Sequence, residues 1–495
     1  MKRSISMLLL IAMLAGMTAC GESGGGNTVT ETTSGDTTTA EPVETGIPEP
    51  ELPVKDYGGE EFTFLSRGRT SYSYMEKWLI AEEENGEVVN DAVFERNMAV
   101  EEKFNVKLNF IENNDQTEVA QLRSIILAGD GGVDVISARR NDLGTLATEG
   151  FLVDFNSLPY VNLTAEYWDA NAVEHMTILD KLYMMPSDIS MGNLSMARFM
   201  YFNKGILEDY KMESPYDLVD SNKWTLDKML SMTTMVSEDV NGDGVFNWDD
   251  KYGFLFDASS NGTIGSLCAG IGLRTVSTDD EEVLVCNIMT ERIQDVLTKC
   301  YSVFTDTDYA LSSEELKGVG DCSNYAHEYN YGRALFAQGH FLFYNSGISS
   351  MNQFRDMEQD FGVVPNPKFD ENQDGYYHKI DKYGLIFAIP ICTQDTERVG
   401  AVMEYMSWYS NKTVLPAYYD TTILSKRLRD DRDVEMLNIV KNSMLYDFAD
   451  LYNLGGDAIL WNGYLSESLA STYASESTAL LTKMENLIET FQNLE

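Results

Sequence analysis

Strands and helices alternate in residues 61–137, and this alternation restricts the fold more than any other feature of the chain. Three segments show the period-two alternation or the short apolar run of strands: 61–65, 106–110 and 133–137. Between them, residues 90–104 and the region around 121–128 have the apolar spacing of helices, and Asn90 is the predicted N-cap of the first helix. This order predicts an α/β fold with a mostly parallel sheet.

The length of the chain predicts more than one domain. Further strands are predicted at 182–185, 341–344 and 385–390, and a helix at 399–409. The body that follows the amino-terminal segments has about 440 residues, which is more than one hydrophobic core normally accommodates. Two α/β domains are therefore expected.

Polar residues near predicted strand ends are the candidate ligand-binding residues. Open parallel sheets bind ligands beyond the carboxyl ends of their strands. The candidates on this rule are Arg67, Arg139, Asp188 and Asn345. Trp461 is added because sugars offer apolar faces that stack on flat aromatic rings. A structural or surface role is at least as compatible with the sequence for each of these residues.

The amino terminus has the layout of a bacterial secretory signal. Lys2 and Arg3 precede an apolar run at 7–15, which is too short to span a bilayer as a helix. Small residues directly before Cys20 resemble a lipobox, which implies cleavage after residue 19 and a lipid on Cys20; an ordinary cleaved signal is the alternative. Residues 1–20 are thus a predicted lipoprotein signal peptide, and the polar residues 21–53 a flexible stalk.

The charge of the chain excludes one class of partner. The sequence contains 79 acidic and 36 basic residues, a formal net charge of −43. A field of that sign repels phosphate backbones and anionic headgroups. Nucleic acid is therefore not expected as a partner, and membrane contact is expected through the lipid alone.

Residues 239–250 match the spacing of an EF-hand calcium loop. Oxygen ligands would come from Asp239, Asn241, Asp243, the Val245 carbonyl, Asn247 and Asp250. The pattern predicts a structural Ca2+ site, and a metal-free Asn-Gly-Asp-Gly turn is the alternative. Residues 370–375 have similar letters, but Tyr376, Tyr377 and His378 follow, so a turn without metal is predicted there.

No catalytic motif is present in the sequence. The four histidines form no H-E-x-x-H pair, and there is no G-x-S-x-G elbow or phosphate-binding glycine loop. Beyond Cys20, five cysteines remain without a C-x-x-C pair, and mostly buried thiols are expected, with one disulfide bridge left open as an alternative. The sequence therefore predicts a protein that is not an enzyme. Paired carboxylates of a glycoside hydrolase stay open as an alternative, since close acidic pairs occur by chance in so acidic a chain.

Several motifs in order resemble the extracellular solute-binding lipoproteins of Gram-positive bacteria, the receptors of ATP-driven sugar importers. Besides the lipobox and stalk, they lie at residues 90–97, 101–106, 201–204, 224–225, 239–254, 332–336 and 364–368. The resemblance covers nearly the whole body, and the order of the motifs is more specific than any one of them.

The resemblance implies a two-lobed fold that closes on a ligand by a hinge between the lobes. The lobes would be discontinuous, with residues 54–165 plus 362–415 in lobe 1 and residues 166–361 plus 416–495 in lobe 2. The implied ligand is a small polar molecule, a sugar or oligosaccharide, and the implied partners are the permease subunits of an ABC transporter. The expected protein is a monomer anchored by lipid at the extracellular face of the membrane. The alternatives are a surface glycoside hydrolase and a glycan-recognising adhesin.

Overall fold

Two larger and two small β-sheets with flanking helices make up the computed structural model, which describes residues 46–68, 78–279, 283–305, 307–354, 357–421 and 431–494. The predicted signal peptide, the lipidation site Cys20 and residues 21–45 of the predicted stalk lie outside the described residues. Within the described ranges, no helix combines the length and apolar character that crossing a membrane requires.

Strands and helices are mixed throughout the described residues. The strands are β1 (Glu60–Arg67), β2 (Val106–Asn113), β3 (Val135–Arg139), β4 (Arg198–Asn203), β5 (Ser237–Glu238), β6 (Lys251–Phe256), β7 (Val276–Thr278), β8 (Leu284–Cys286), β9 (Ala310–Ser312), β10 (Phe341–Gly347), β11 (Phe361–Val364), β12 (His378–Lys379), β13 (Leu385–Ala388) and β14 (Met444–Leu445). The helices are α1 (Val88–Phe104), α2 (Glu118–Ala128), α3 (Arg140–Thr148), α4 (Ala170–Met176), α5 (Lys204–Asp209), α6 (Pro215–Asp220), α7 (Leu226–Thr233), α8 (Thr263–Gly270), α9 (Glu291–Phe304), α10 (Glu328–Ala337), α11 (Thr396–Lys412), α12 (Val414–Tyr419), α13 (Asp431–Lys441), α14 (Phe448–Leu451), α15 (Gly456–Leu465) and α16 (Leu469–Asn493).

The first sheet confirms the predicted parallel arrangement of the amino-terminal strands. Its order is β13-β3-β1-β2, and β1 pairs in parallel with both β2 and β3. Phe64 and Leu65, which point to opposite faces of β1, are both fully buried, as expected for an interior strand of a sheet covered on both faces. β13 comes from much later in the chain and pairs antiparallel to β3.

The second sheet is mixed rather than mostly parallel. Its main order is β11-β4-β10-β6-β5, with β9 paired to β6. β10 and β9 run parallel to β6, whereas β4 runs antiparallel to its neighbours β10 and β11. The strand direction reverses at β4, which directly follows the segment that leads from the first sheet to the second.

Two antiparallel segments join the sheets. Met185 forms a bridge with Phe387 of β13, and Ala197 forms a bridge with Ile380. The two segments of the chain therefore run side by side from one sheet to the other. Residues 186–197 are called the joining segment below. The predicted lobe boundaries stay a prediction. They assign residues 362–364 to lobe 1, whereas these residues are part of β11, which hydrogen-bonds to β4 of the second sheet.

The carboxyl-terminal half of the chain packs on both sheets. α11 and α12 pack on α1 beside the first sheet, whereas α13 packs on β11 of the second. The backbone N–H of Val363 donates 3.0 Å to Asp433 of α13, which anchors that helix to the sheet. Lys441 and Asn411, at the ends of α13 and α11, therefore come from helices attached to different sheets.

The start of α1 differs from its predicted cap. The helix begins at Val88, and the Glu87 side chain accepts a hydrogen bond of 2.8 Å from the Asn90 backbone N–H. Asn90 is instead inside the first turn, where its side chain donates to the Glu83 carbonyl. Sequence preferences favour short side chains such as Ser, Thr, Asp and Asn at the N-cap, so they did not point to Glu87. Its longer side chain nevertheless reaches the Asn90 N–H from the N-cap position. Thr225 caps α7, since its hydroxyl accepts from the Lys228 N–H.

Candidate functional site

A cavity of about 450 Å³ opens beside the joining segment. Its walls come from residues before α4, from the joining segment and from the ends of α11 and α13. The lining residues are Glu166, Tyr167, Trp168, Asp169, Ala170, Asn171, Pro186, Ser187, Asp188, Ser190, Met191, Asn193, Leu194, Asn411, Lys441, Asn442 and Met444. The volume lies in the range of pockets that bind small molecules.

Tyr167 and Trp168 form the aromatic wall of the cavity, and Glu404 of α11 holds both of them. The Tyr167 hydroxyl donates 2.5 Å to Glu404 Oε1, and Trp168 Nε1 donates 2.9 Å to Oε2. Oε2 also accepts from the Asn162 backbone N–H. Glu404 is 1 % exposed, so these donors replace the water that its charge would otherwise require. Burial, and next the neighbouring Glu404 carboxylate, raise the pKa of Tyr167, which keeps its hydroxyl a donor.

Asp169 lies at the start of α4 and is part of a hydrogen-bonded chain across the cavity wall. Its Oδ1 accepts from the Asn171 and Ala172 backbone N–H groups, as an N-cap does. Its Oδ2 accepts 2.6 Å from the Tyr446 hydroxyl, which in turn accepts from Asn193 Nδ2. Burial raises the pKa of Asp169 to about 6, and the hydrogen bonds oppose this rise. The carboxylate is therefore mostly ionised at neutral pH.

Asp188 of the joining segment is held by helices attached to both sheets. Asn411 of α11 donates 2.7 Å to Asp188 Oδ2, and the Lys441 ammonium of α13 lies 3.2 Å from the same oxygen. Asp188 Oδ1 accepts no hydrogen bond from the described residues. The Asp188 and Lys441 side chains both line the cavity. The pair thus keeps one carboxylate oxygen and some ammonium hydrogens that bond to no described residue.

The chemistry of this lining suits the binding of a polar molecule. It combines an aromatic wall, carboxylates and side-chain amides with apolar contacts from Met191, Leu194 and Met444. No histidine or cysteine is among the lining residues, and neither lining serine is next to a general base. Such a surface can bind a polar molecule by hydrogen bonds at its edges and by contact with its apolar faces.

Of the five predicted ligand-binding residues, Asp188 lines this cavity and the other four do not. Arg67 is 2 % exposed, and its Nη2 lies 2.6 Å from Glu118 of α2. Asn345 is fully buried between the strands of the second sheet, where it bonds to Arg198 and Asn366. Both are buried polar residues of the core.

Arg139 and Trp461 lie on other surfaces. The Arg139 guanidinium stacks over the ring of Tyr383, 4.6 Å from its centre. Trp461 is on α15 and stacks on Tyr464 with a centroid distance of 5.5 Å. The rings therefore contact each other along one helix, and Trp461 is half-buried by its own neighbours.

Several cavity residues were missed because no local pattern marks them. Trp168 and Asp169 precede a short helix, and an aspartate there is predicted as a cap without a further role. Lys441 approaches Asp188 from 253 residues further along the chain. The one available signal was the position of Asp188 three residues after the predicted strand 182–185, although the structure forms only an isolated bridge at Met185 in that segment.

The calcium-like loop folds with the backbone turns of its motif. Asp239 accepts hydrogen bonds from the backbone N–H groups of Gly242 and Gly244, and both glycines have positive φ, as such a turn requires. Asp250 is fully buried, and its two oxygens accept from the Val240 and Asn247 N–H groups. In the described residues, no group of three His, Cys, Asp or Glu side chains is arranged to hold a metal ion. Calcium therefore stays a prediction.

The other predicted turn, at residues 370–375, forms without such a loop. The Asp370 side chain accepts from the Asn372 N–H, and His378 is buried in β12.

The five cysteines of the described chain are all free, with Cys268 and Cys300 buried and Cys286, Cys322 and Cys392 half-buried. Burial raises the pKa of Cys268 to about 12, which leaves it an unreactive thiol.

The fold and the cavity define a two-lobed binding protein of the periplasmic type, and comparison with known proteins agrees. An ABC substrate-binding protein from Listeria monocytogenes in complex with cycloalternan superposes with a TM-score of 0.52 at 14% identity, covering 88% of this chain and 99% of that one. A family 1 extracellular solute-binding protein from Bifidobacterium longum subsp. infantis gives 0.53 at 13%, covering 87% and 100%. A cyclo/maltodextrin-binding protein complexed with maltotetraose gives 0.53 at 12%, covering 88% and 97%. At these identities the likeness shows the fold.

The sequence itself shows the family. Residues 98–424, more than half of the chain, match the profile of the bacterial extracellular solute-binding proteins. No curated protein sequence matches the chain. The protein belongs to the bacterial extracellular solute-binding family, whose members are binding proteins rather than enzymes.

Proposed function

We propose that the protein binds a carbohydrate in the cavity beside the joining segment and delivers it to an ABC importer without chemical change. The observation that carries this proposal is the lining of the cavity in a chain of the solute-binding family. Trp168, which is 3 % exposed, contributes an aromatic ring to the cavity wall, and Asp188, Asn411 and Lys441 supply hydrogen-bond donors and acceptors to the same cavity.

Structural relatives support a saccharide as the ligand class. Two of the superposed proteins were solved with cycloalternan and with maltotetraose. Their low identity to this chain gives no residue-by-residue correspondence, so the support lies in the shared two-lobed fold and in the local chemistry of the cavity.

A thermal-shift screen of the purified mature body against a saccharide library tests the proposal. At least one saccharide should raise the melting temperature, and calorimetry should then give a one-to-one complex. Trp168→Ala should weaken this complex at least tenfold, since one stacked ring is lost. Trp461→Ala is the matched control, because that ring lies on α15 and does not line the cavity. A library without a binder, or equal loss in both variants, contradicts the proposal.

Prolonged incubation of the protein with the bound saccharide separates binding from hydrolysis. The proposal expects the saccharide to be recovered intact, because a solute-binding protein releases its ligand unchanged. Release of shorter sugars would instead support the glycoside hydrolase alternative.

We further propose that the protein is a monomer tethered by lipid on Cys20 at the extracellular face of the membrane. The support is the lipobox-like sequence before Cys20 and the polar residues 21–53 that follow it. Expression of the full chain should place it in the detergent phase of a Triton X-114 separation, and Cys20→Ser should move it to the aqueous phase. Detergent partitioning of both proteins would contradict anchoring at this cysteine.

Calcium binding at residues 239–250 is the remaining proposal. The backbone of this loop already has the turns of the motif, with positive φ at Gly242 and Gly244. Carbonyl, amide and carboxylate oxygens are the ligands that Ca2+ prefers, and weak binding suits an extracellular loop. The role proposed for the ion is to stabilise the loop before β6.

A further inference from the structure

We propose that Asp188 and Lys441 determine the specificity of the cavity by binding two adjacent hydroxyl groups of a saccharide that carries no negative charge. This inference rests on the proposed carbohydrate function and narrows its ligand class. It follows from three features of the pair: the charge around it, its remaining hydrogen-bonding capacity and its attachment to both sheets.

The charge of the cavity wall disfavours an anionic ligand. Glu166, Asp169 and Asp188 line the cavity, and Lys441 is the one cationic side chain among the lining residues. Asp188 already neutralises that lysine, because its Oδ2 lies 3.2 Å from the ammonium nitrogen. A uronate, sulfate or phosphate group would meet the carboxylates of Glu166 and Asp169, which form no ion pair with a lining cation, and like charges in a partly desolvated site repel.

The pair keeps the hydrogen-bonding groups that a diol requires. Asp188 Oδ2 accepts from both Asn411 and Lys441, whereas Oδ1 accepts nothing from the described residues. The Lys441 ammonium has three hydrogens and uses one of them for Asp188. Asp188 Oδ1 can accept from one ligand hydroxyl while Lys441 donates to its neighbour. Both bonds involve an ionised partner, which makes them stronger than bonds between neutral groups.

The geometry of the pair also links ligand binding to the placement of the two sheets. Asn411 is on α11, which is bound to α1 by the 3.2 Å contact of Ser410 with Arg96. Lys441 is on α13, whose Asp433 binds β11 of the second sheet. A ligand that bonds to Asp188 and Lys441 together therefore contacts the joining segment and the second-sheet side at once. Losing either group should cost affinity rather than fold.

The wild-type protein tests the charge requirement first. Two matched panels are screened by thermal shift and calorimetry: neutral trisaccharides such as maltotriose, cellotriose, xylotriose and raffinose, and anionic trisaccharides such as trigalacturonate and sialyllactose. The expected result is binding within the neutral panel and none, or at least tenfold weaker binding, within the anionic panel. An anionic saccharide as the tightest ligand overturns this inference and leaves the proposed function standing. No binder in either panel overturns both.

The variants Asp188→Asn and Lys441→Met then test the pair with the neutral ligand found. Each should weaken binding at least tenfold, the amount expected for one lost charge-assisted hydrogen bond. Glu174→Gln and Lys107→Met are the matched controls, since both side chains are exposed and outside the cavity lining. Unchanged affinity in both cavity variants overturns the inference while the proposed function stands. Melting temperatures show whether each variant is folded. If neither variant folds, the neutral and anionic panels measured on the wild-type protein decide the inference.

Discussion

Trp168 Nε1 donates a 2.9 Å hydrogen bond to Glu404 Oε2, which fixes the aromatic wall of the cavity to the buried face of α11. The same carboxylate holds Tyr167 and the Asn162 backbone. One acidic side chain, remote in sequence, thus orders the segment that precedes α4. This arrangement explains how residues 162–169, which contain no regular α-helix or strand, can present a defined surface to a ligand.

We expect Glu404→Gln to lower the free energy of unfolding by about 2–4 kcal/mol, because buried donors lose a charged acceptor. The neutral amide also turns a donor toward donors, so the aromatic wall should loosen and saccharide affinity should fall. Urea unfolding and calorimetry measure the two effects. Glu397→Gln on the same helix is the control, since its carboxylate makes an exposed ion pair with Lys55 and should cost less than about 1 kcal/mol. Equal effects of the two substitutions would refute this role for Glu404.

The stability of the protein should fall in mild acid because of His378. Its Nε2 accepts from the Asn366 backbone N–H and its Nδ1 lies 2.8 Å from the Ser443 hydroxyl, so the buried ring is neutral. Burial lowers the pKa of His378 from 6.5 to about 3. The stabilisation is therefore complete above pH 6.5 and is lost as the pH falls toward 3, at about 1.4 kcal/mol per pH unit.

Urea unfolding between pH 7.5 and 5 measures this dependence. His175 adds to it in the same direction, because burial lowers its pKa to about 4. His378→Gln should be less stable at pH 7 but should show a shallower decline with acid, whereas His327→Gln on the exposed surface should keep the wild-type slope. A His378→Gln protein with the full slope would assign the acid sensitivity elsewhere.

The buried lysine of β12 should matter more than the carboxylate that it touches. Lys379 contacts Asp457 and lies 3.3 Å from Asp450, which also lies 3.3 Å from Arg140 of α3. Lys379→Met removes the cation that contacts Asp457, leaves Asp450 with Arg140 alone, and should cost about 3–5 kcal/mol. Burial, and next the Asp450 charge, raise the pKa of Asp457, so Asp457→Asn replaces a group that favours its neutral form. It should therefore cost much less. Comparable losses in the two variants, measured by urea unfolding at pH 7, would argue against this charge distribution.

The sequence predicted the architecture well because the architecture depends on local patterns. The alternation at residues 61–137 gave the parallel core of the first sheet, and the apolar strand at 385–388 was found, though not its antiparallel pairing with β3. Strand direction in the second sheet could not be predicted, because the reversal at β4 depends on how the joining segment enters. Local periodicity contains no information on that path.

The site was predicted less well for a related reason. Asp188 was found because it follows an apolar segment, but Asn411 and Lys441, which hold it, come from helices far along the chain. Arg67 lies at a strand end as the rule requires, and there Glu118 neutralises it. A strand-end position therefore indicates where polar groups gather. It does not distinguish a ligand contact from an internal ion pair, since the partner is set by packing.

Calcium should stabilise the protein through residues 239–250. With a dissociation constant near 1 mM, a value typical of extracellular sites, 10 mM Ca2+ adds about 1.4 kcal/mol and raises the melting temperature by a few degrees. Asp243→Ala should abolish the increase, because it removes a ligand from the exposed side of the loop, while Asp250 keeps its backbone contacts. Asp370→Ala in the second acidic turn is the control and should leave the calcium response unchanged. Calorimetry without heat and a melting temperature that does not respond to 10 mM Ca2+ would show that this loop is a metal-free turn, stabilised by its own backbone hydrogen bonds.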